Sequence, residues 1–421
     1  MIEAPGNETR RKNTTLLVKP DRVTRLARPA AAMALSTLQC YAPAGGRGNL
    51  TSLRGGGPLT TLAIPGVDPC PLWHFVWANV PFGKAVSDTD LPRVFPWLAP
   101  TRTADRFPAT TPVEAHPLQA FWGMPRRIRL DFADNPDALP CDLSGIVDPV
   151  VVTGWRQRPN GVKYVAGDHP LSPSYRDAKG GGWLPVHSQP GGIGYRDWAA
   201  IAYGEPSGPR RAAPCITCWY ARSQNLARAD GHEPRLFAAG YDMDNMKARS
   251  FVESEMPLPG TDPLSAETFA TVARHLVAAA ELVARSLRLS VRDACFGRDT
   301  KFDAAPLAAA NKRFWAGTGD HFFTLLRKVA ASSWEKGLAR VASRWHAILR
   351  AEARRLFDQA APLDPAAASF DPRKIVRARL NLVRTLSGYG AQGIAFFSAL
   401  ELPEPEPRNR GGRRRNSRGR A

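Results

Sequence analysis

Histidine and cysteine are scarce in this chain, eight and six in 421 residues, and both are scattered. No two histidines fall close enough to form a His-Glu-x-x-His pair, so zinc hydrolysis of that type has no local support. Cys215 and Cys218 form a lone Cys-x-x-Cys, whereas a structural zinc site takes four ligands. The six thiols fit reduced cysteines in a cytosol better than a disulfide framework. No Gly-x-Ser-x-Gly nucleophile elbow is present, and no apolar run approaches the roughly 18 residues of a membrane span. Acidic residues are also in short supply, 38 against 57 basic ones, for a formal net charge of +19.

That excess is not confined to one tail. Residues 401–421 hold seven arginines and three glutamates, so only four of the nineteen surplus charges lie there. A polyanion is the expected partner; the alternative is a basic surface that merely follows from an arginine-, alanine- and proline-rich composition. The length suggests two or three domains with a substantial core.

The most informative stretch is 42–58, Ala-Pro-Ala-Gly-Gly-Arg-Gly-Asn-Leu-Thr-Ser-Leu-Arg-Gly-Gly-Gly-Pro. Glycines lacking a Cβ let backbone N–H groups approach a ligand, so Gly45, Gly46 and Gly48 around Arg47 can hold a phosphate or sugar edge, with Arg47 and Arg54 adding charge. The plain alternative is a solvated turn. No Gly-Lys-Ser or Gly-Lys-Thr closes the loop, and no Gly-x-Gly-x-x-Gly fingerprint runs through it. The pattern predicts a helix before it, over 28–41, a strand over 59–64, and a buried aromatic helix over 70–80.

Further on, Trp155 to Ser174 carries Arg156, Arg158, Lys163 and Tyr164 around Asn160-Gly161, which reads as a basic hairpin, either solvent-exposed or inserted into a nucleic-acid groove. Residues 179–194 form a second glycine-rich stretch with no evident chemistry. Asp242, Asp244, Asn245, Lys247 and Arg249 crowd together after a predicted strand at 235–239; the carboxylates suit a metal or, more commonly, neutralisation by the neighbouring bases. From residue 265 onward apolar residues recur at helical spacing, and Asp371-Pro372 supplies an N-cap and first-turn proline. Four helices with short connections predict an up-down bundle. Trp315, Trp334, Trp345, His275, His321 and His346 read as core or interface residues, and Arg340, Arg344, Arg350, Arg354 and Arg355 as a basic stripe. The expected fold class is α+β: a partial globular domain over 1–260, a four-helix bundle over 261–400, and a disordered Arg/Gly-rich tail over 401–421.

Gly-Asn-Leu-Thr-Ser-Leu-Arg-Gly-Gly-Gly-Pro-Leu-Thr-Thr-Leu resembles the glycine-loop region of the large subunit of the type I-E CRISPR Cascade complex, the CasA family. Ala239 to Arg249 resembles a second motif of that family, and 121–127, 141–145 and 313–315 extend the likeness to about Leu400. The resemblance implies a non-catalytic, cytoplasmic subunit with no cofactor, no metal and no membrane. Its partners would be double-stranded target DNA, the guide RNA with the other Cascade subunits, and a helicase-nuclease effector. In that family a hairpin lysine probes the minor groove beside the protospacer-adjacent motif. The aligned position here is Pro159, leaving Arg158 or Lys163 to substitute. A polar wedge of the family falls on Asp244 and Asn245. The resemblance also implies that the family's amino-terminal portion is absent. The alternative is a stand-alone basic nucleic-acid-binding protein or an inactive fragment of that subunit.

Overall fold

The computed structural model describes residues 11–12, 22–46, 48–67, 69–111, 113–189, 191–205, 208–223, 233–244, 247–258, 263–297, 304–330, 337–362 and 370–405. Arg47, Asn245, Trp334 and the tail 408–421 lie outside them. Two compact units divide the chain, Met1–Gly260 and Thr261–Ala421.

The first unit holds three small sheets. Helix α1 (Arg28–Tyr41) leads into the glycine loop; it has proline in its first turn and ends at Ala42, which adopts an extended conformation ahead of Pro43. Ala27 offers no side-chain cap, and a distant carboxylate takes over: Asp148 Oδ2 accepts from the Arg28 amide at 3.0 Å, while the Arg28 guanidinium pairs with Asp148 Oδ1 at 2.8 Å. The hydrogen bond from Arg28, assisted by the Val150 and Arg28 amides, holds the buried Asp148 carboxyl down to about 2. The unfolded value is near 4, so this contribution to stability is complete above about pH 4 and is lost as the pH falls toward 2. Asp148→Asn is therefore expected to lower the urea midpoint at neutral pH, with the gap to the parent closing across that acid window; a gap independent of pH would refute the linkage.

Strand β1 (Leu26–Ala27) pairs with β4 (Val150–Arg158), which pairs with β3 (Arg127–Asp134). Strand β2 (Thr60–Ile64) pairs with β8 (Arg235–Asp244), and β8 with β9 (Lys247–Pro257). The third sheet takes the order β6 (Trp183–Pro185), β5 (Ser174–Arg176), β7 (Arg210–Arg211). All these pairings are antiparallel. Short helices α2 (Leu72–Ala78), α3 (Leu91–Val94), α4 (Tyr195–Ala202) and α5 (Pro214–Ser223) fill the connections. Of these α4 buries Trp198, whose indole N–H donates to the Pro257 carbonyl at 2.7 Å.

Two expectations are corrected here. The aromatic helix α2 is not buried: Leu72 is 75% and Trp73 67% exposed, and Trp73 stacks on Trp77 at 5.6 Å. It is tethered through Asn79, whose side chain accepts from the Ala63 amide and donates to the Ala63 carbonyl, and that peptide-like grip replaces apolar burial. Asn160-Gly161 is not a hairpin turn either. β4 runs out at Arg158 and pairs back with β3, so the hairpin closes through 135–149. Asn160 instead takes a left-handed conformation, φ 61°, where the chain leaves the sheet.

The second unit is helical among its described residues: α6 (Pro263–Cys295), α7 (Ala305–Ala330), α8 (Gly337–Ala360), α9 (Pro372–Leu386) and α10 (Gly390–Ala399). Phe269, Leu276, Leu287, Phe314, Phe322, Trp345 and Phe396 are fully buried at its centre. The indole of Trp345 donates to the Leu276 carbonyl at 2.8 Å, and His346 stacks on Phe396. Asp371 caps α9 through the amides of Arg373 and Lys374. His321 lies exposed, and Trp315 and His275 are half-buried.

Candidate nucleic-acid interface

The glycine loop is gripped from three sides. Arg126, 6% exposed, donates from Nε to the Leu50 carbonyl at 2.9 Å and from Nη2 to the Pro43 carbonyl. Gln39 on α1 brackets the Arg126 peptide, donating to its carbonyl and accepting from its amide. Burial lowers the Arg126 guanidinium pKa from its usual value.

On one flank Gly48, φ 74°, lies so close to the end of β4 that a Cβ would fall 2.6 Å from Pro159 and from the Asn160 side chain. The Asn160 amide donates to the Gly48 carbonyl at 2.9 Å, and Gln157 bonds Asn49. On the other flank Gly57, φ 64°, lies against β8, where a Cβ would meet Met243 at 2.5 Å and the Tyr241 carbonyl at 2.8 Å. From behind, His187 meets the Arg54 carbonyl at 2.9 Å. Loop, β4 end and the β8–β9 hairpin therefore share one locality.

The predicted residues fall into different roles within that frame. Gly45 spends its amide on the Asn49 carbonyl, whereas the amides of Gly46 and Gly48 make no hydrogen bond among the described residues. Arg54 is buried at 4% exposure; its Nη1 donates to Thr60 and Ser172 hydroxyls, and its guanidinium lies over Tyr41 at 5.3 Å. It braces the loop from within. Arg156 is exposed but ion-paired with Asp131 at 2.6 Å. Arg158 and Lys163 are exposed and form no ion pair among the described residues. Asp244 lies exposed at the tip of the β8–β9 hairpin, and Asp242, buried, is neutralised by Arg249 at 2.6 Å. Among the described residues no group of three or more His, Cys, Asp or Glu could hold a metal. Cys215 is buried, and that burial pushes its thiol up to about 12.

Sequence reasoning gave no role to Arg126, Gln39 or His187, and read Asn160 as a hairpin turn only. Arg126 stood within a familial run, but nothing in the residues around it signals that its guanidinium turns inward onto carbonyls more than 70 positions upstream.

Solved structures of CRISPR-associated proteins have a fold similar to this one. CasA of Thermus thermophilus matches with a TM-score of 0.62 at 18% identity, over 87% of this chain and 73% of that one. Cse1 of Thermobifida fusca gives 0.58 at 18% identity, over 95% and 75%. A chain of a CRISPR RNA-guided surveillance complex gives 0.57 at 16%, over 85% and 68%. The chain belongs to the CRISPR-associated protein Cse1 family, whose sequence model matches residues 1–356. No curated protein matches it.

Proposed function

We propose that the chain is the large, non-catalytic DNA-recognising subunit of a type I-E surveillance complex in the cytoplasm. It reads a protospacer-adjacent motif, helps open the duplex and recruits a helicase-nuclease, while guide RNA pairing reads the rest of the target. The observation that carries this reading is the seating of the glycine loop between the β4 end and the β8–β9 hairpin. Gly46 and Gly48, with Gly45 as their internal support and Arg47 alongside, approach the backbone of a minor groove; Arg158 and Lys163 contact phosphates; Arg156 and Arg54 orient their neighbours. Asp244 and Asn245 wedge the first base pairs apart. The first four helices of the second unit, α6 to α9, form a four-helix bundle that contacts neighbouring subunits.

Reversing both free charges, Arg158→Glu with Lys163→Glu, is expected to weaken duplex binding about 10- to 100-fold at low salt and to flatten the salt slope by about two. The measurement is fluorescence anisotropy with the chain co-expressed with guide RNA and the partner subunits, against duplexes carrying a library of flanks. Flank-dependent binding that the double variant loses supports the reading. Failure to co-elute, with flank-blind and salt-sensitive binding, would point instead to a stand-alone basic nucleic-acid-binding protein.

A further inference from the structure

Behind the glycine loop the first unit has a half-open cavity of about 400 Å³, between the β5–β6–β7 sheet and the start of α4. Its wall includes Leu59 and His187, the second of which also holds the Arg54 carbonyl. Four arginines line it, Arg176, Arg196, Arg210 and Arg211, against one carboxylate, Asp197. That carboxylate is already engaged by Arg196 Nε at 3.1 Å, and Arg196 Nη2 donates to the Gly192 carbonyl. Arg211 lies over Trp183 at 3.6 Å, held by the ring rather than by an acid. Arg176 and Arg210 are exposed, sit on adjacent strands, and form no ion pair among the described residues. Tyr175 opposes Arg210 across the strand pair and is 39% exposed.

Uncompensated guanidinium groups gathered in a concavity focus a positive potential and leave donors for an anion. A volume within the ordinary range of small-ligand sites, roughly 300–1,000 Å³, admits one nucleotide and excludes a duplex. Tyr175 adds a planar face of the kind on which bases stack. We propose that this cavity binds a nucleotide through its phosphate, with Arg210 on the phosphate, Tyr175 on the same face of the sheet beside the base, and Arg176, the next residue along β5, adding positive charge to the wall. The ligand is either a free nucleotide or one unit of a single strand. The inference does not depend on the duplex-reading role of the glycine loop, because the arginines concerned are not among the residues assigned to that role.

The test uses the full chain. Binding of a fluorescein-labelled oligothymidylate is followed by anisotropy, and binding of thymidine monophosphate and of inorganic phosphate by calorimetry. Arg176→Gln with Arg210→Gln is compared with Arg340→Gln with Arg344→Gln, which removes the same charge from α8 in the second unit. The cavity variant is expected to lose about tenfold or more in affinity, the size of a lost charge-assisted hydrogen bond, and the control about twofold. Tyr175→Ala, an exposed change that spares the arginines, is expected to lose about fivefold from lost stacking. Binding of the mononucleotide assigns a free ligand; binding of the oligonucleotide alone assigns a unit within a strand. Equal losses in the cavity and control variants, or an unchanged affinity in Tyr175→Ala, overturn the proposal by reducing the effect to general basic attraction. Duplex affinity measured in parallel separates this result from the fate of the glycine-loop reading.

Discussion

Arg126→Met is expected to destabilise the first unit by about 3–6 kcal/mol, since two charge-assisted hydrogen bonds are worth roughly 1.5–3 kcal/mol each. Methionine keeps much of the stem volume, so the loss reports the guanidinium rather than a cavity. Both acceptors, the carbonyls of Pro43 and Leu50, belong to the glycine loop, and both lose their charged donor together. The bracket from Gln39 is to the Arg126 peptide and survives the substitution, so α1 stays attached while the loop loosens. Two readouts follow: a lower urea midpoint, and faster proteolysis within 42–58 under native conditions. Duplex affinity should fall as well, although Arg126 is too buried to reach a ligand. A stability loss under about 1 kcal/mol would mean that the loop is held by its flanks instead.

Gly161→Ala is the second large effect. A Cβ at this position would overlap the carbonyl group of Pro125 and approach the Arg126 amide at 2.9 Å, and these are backbone atoms that no rotamer change can move. The Gly161 carbonyl also accepts from Ala104, and the next amide, Val162, donates to Met124, so the segment cannot retreat without breaking both bonds. Expected destabilisation is about 3 kcal/mol or more, in the range reserved for overpacking against fixed structure. Gly182→Ala makes the matched control: nothing lies within 4 Å of its would-be Cβ, and its φ is not positive. Its midpoint should stay within about 0.5 kcal/mol of the parent. Similar shifts in the two variants would show that backbone entropy, not the close approach to Pro125, governs position 161.

The helices were the most legible part of the chain. The alanine-rich run ahead of Pro43 carries its end, though not its cap, in local chemistry, the segment 195–202 carries its start in Gly194 and Asp197, and Asp371 caps α9 through its own side chain. In the second unit apolar spacing alone places Leu276, Leu287 and Trp345 inward. The site was legible as a set of motifs but not as an arrangement. An Asn-Gly pair favours a positive φ, and Asn160 has one; whether that bend joins two strands depends on what pairs with β4, and its partner lies upstream in β3. Arginine in a glycine loop reads as ligand charge, yet Arg54 points inward because Thr60, Ser172 and Tyr41, brought from three elements, form a polar and aromatic seat for it. Four consecutive apolar and aromatic residues read as core, but α2 is held by Asn79 and leaves Trp73 and Trp77 outward. In each case the deciding contact comes from another element, and no rule internal to the segment carries it.

The pairing of β2 with β8 places Thr60 opposite Ala239. During synthesis the earlier strand must therefore remain single until the later one has left the ribosome, a delay of roughly 10–40 seconds at ordinary elongation rates. A waiting strand is an invitation to the wrong partner. Asn79 follows β2 by only a short stretch and engages both backbone groups of Ala63. The same amide that tethers α2 thus covers part of the opposite edge of β2 early, the one β8 does not take, and so narrows the places where a wrong strand can add.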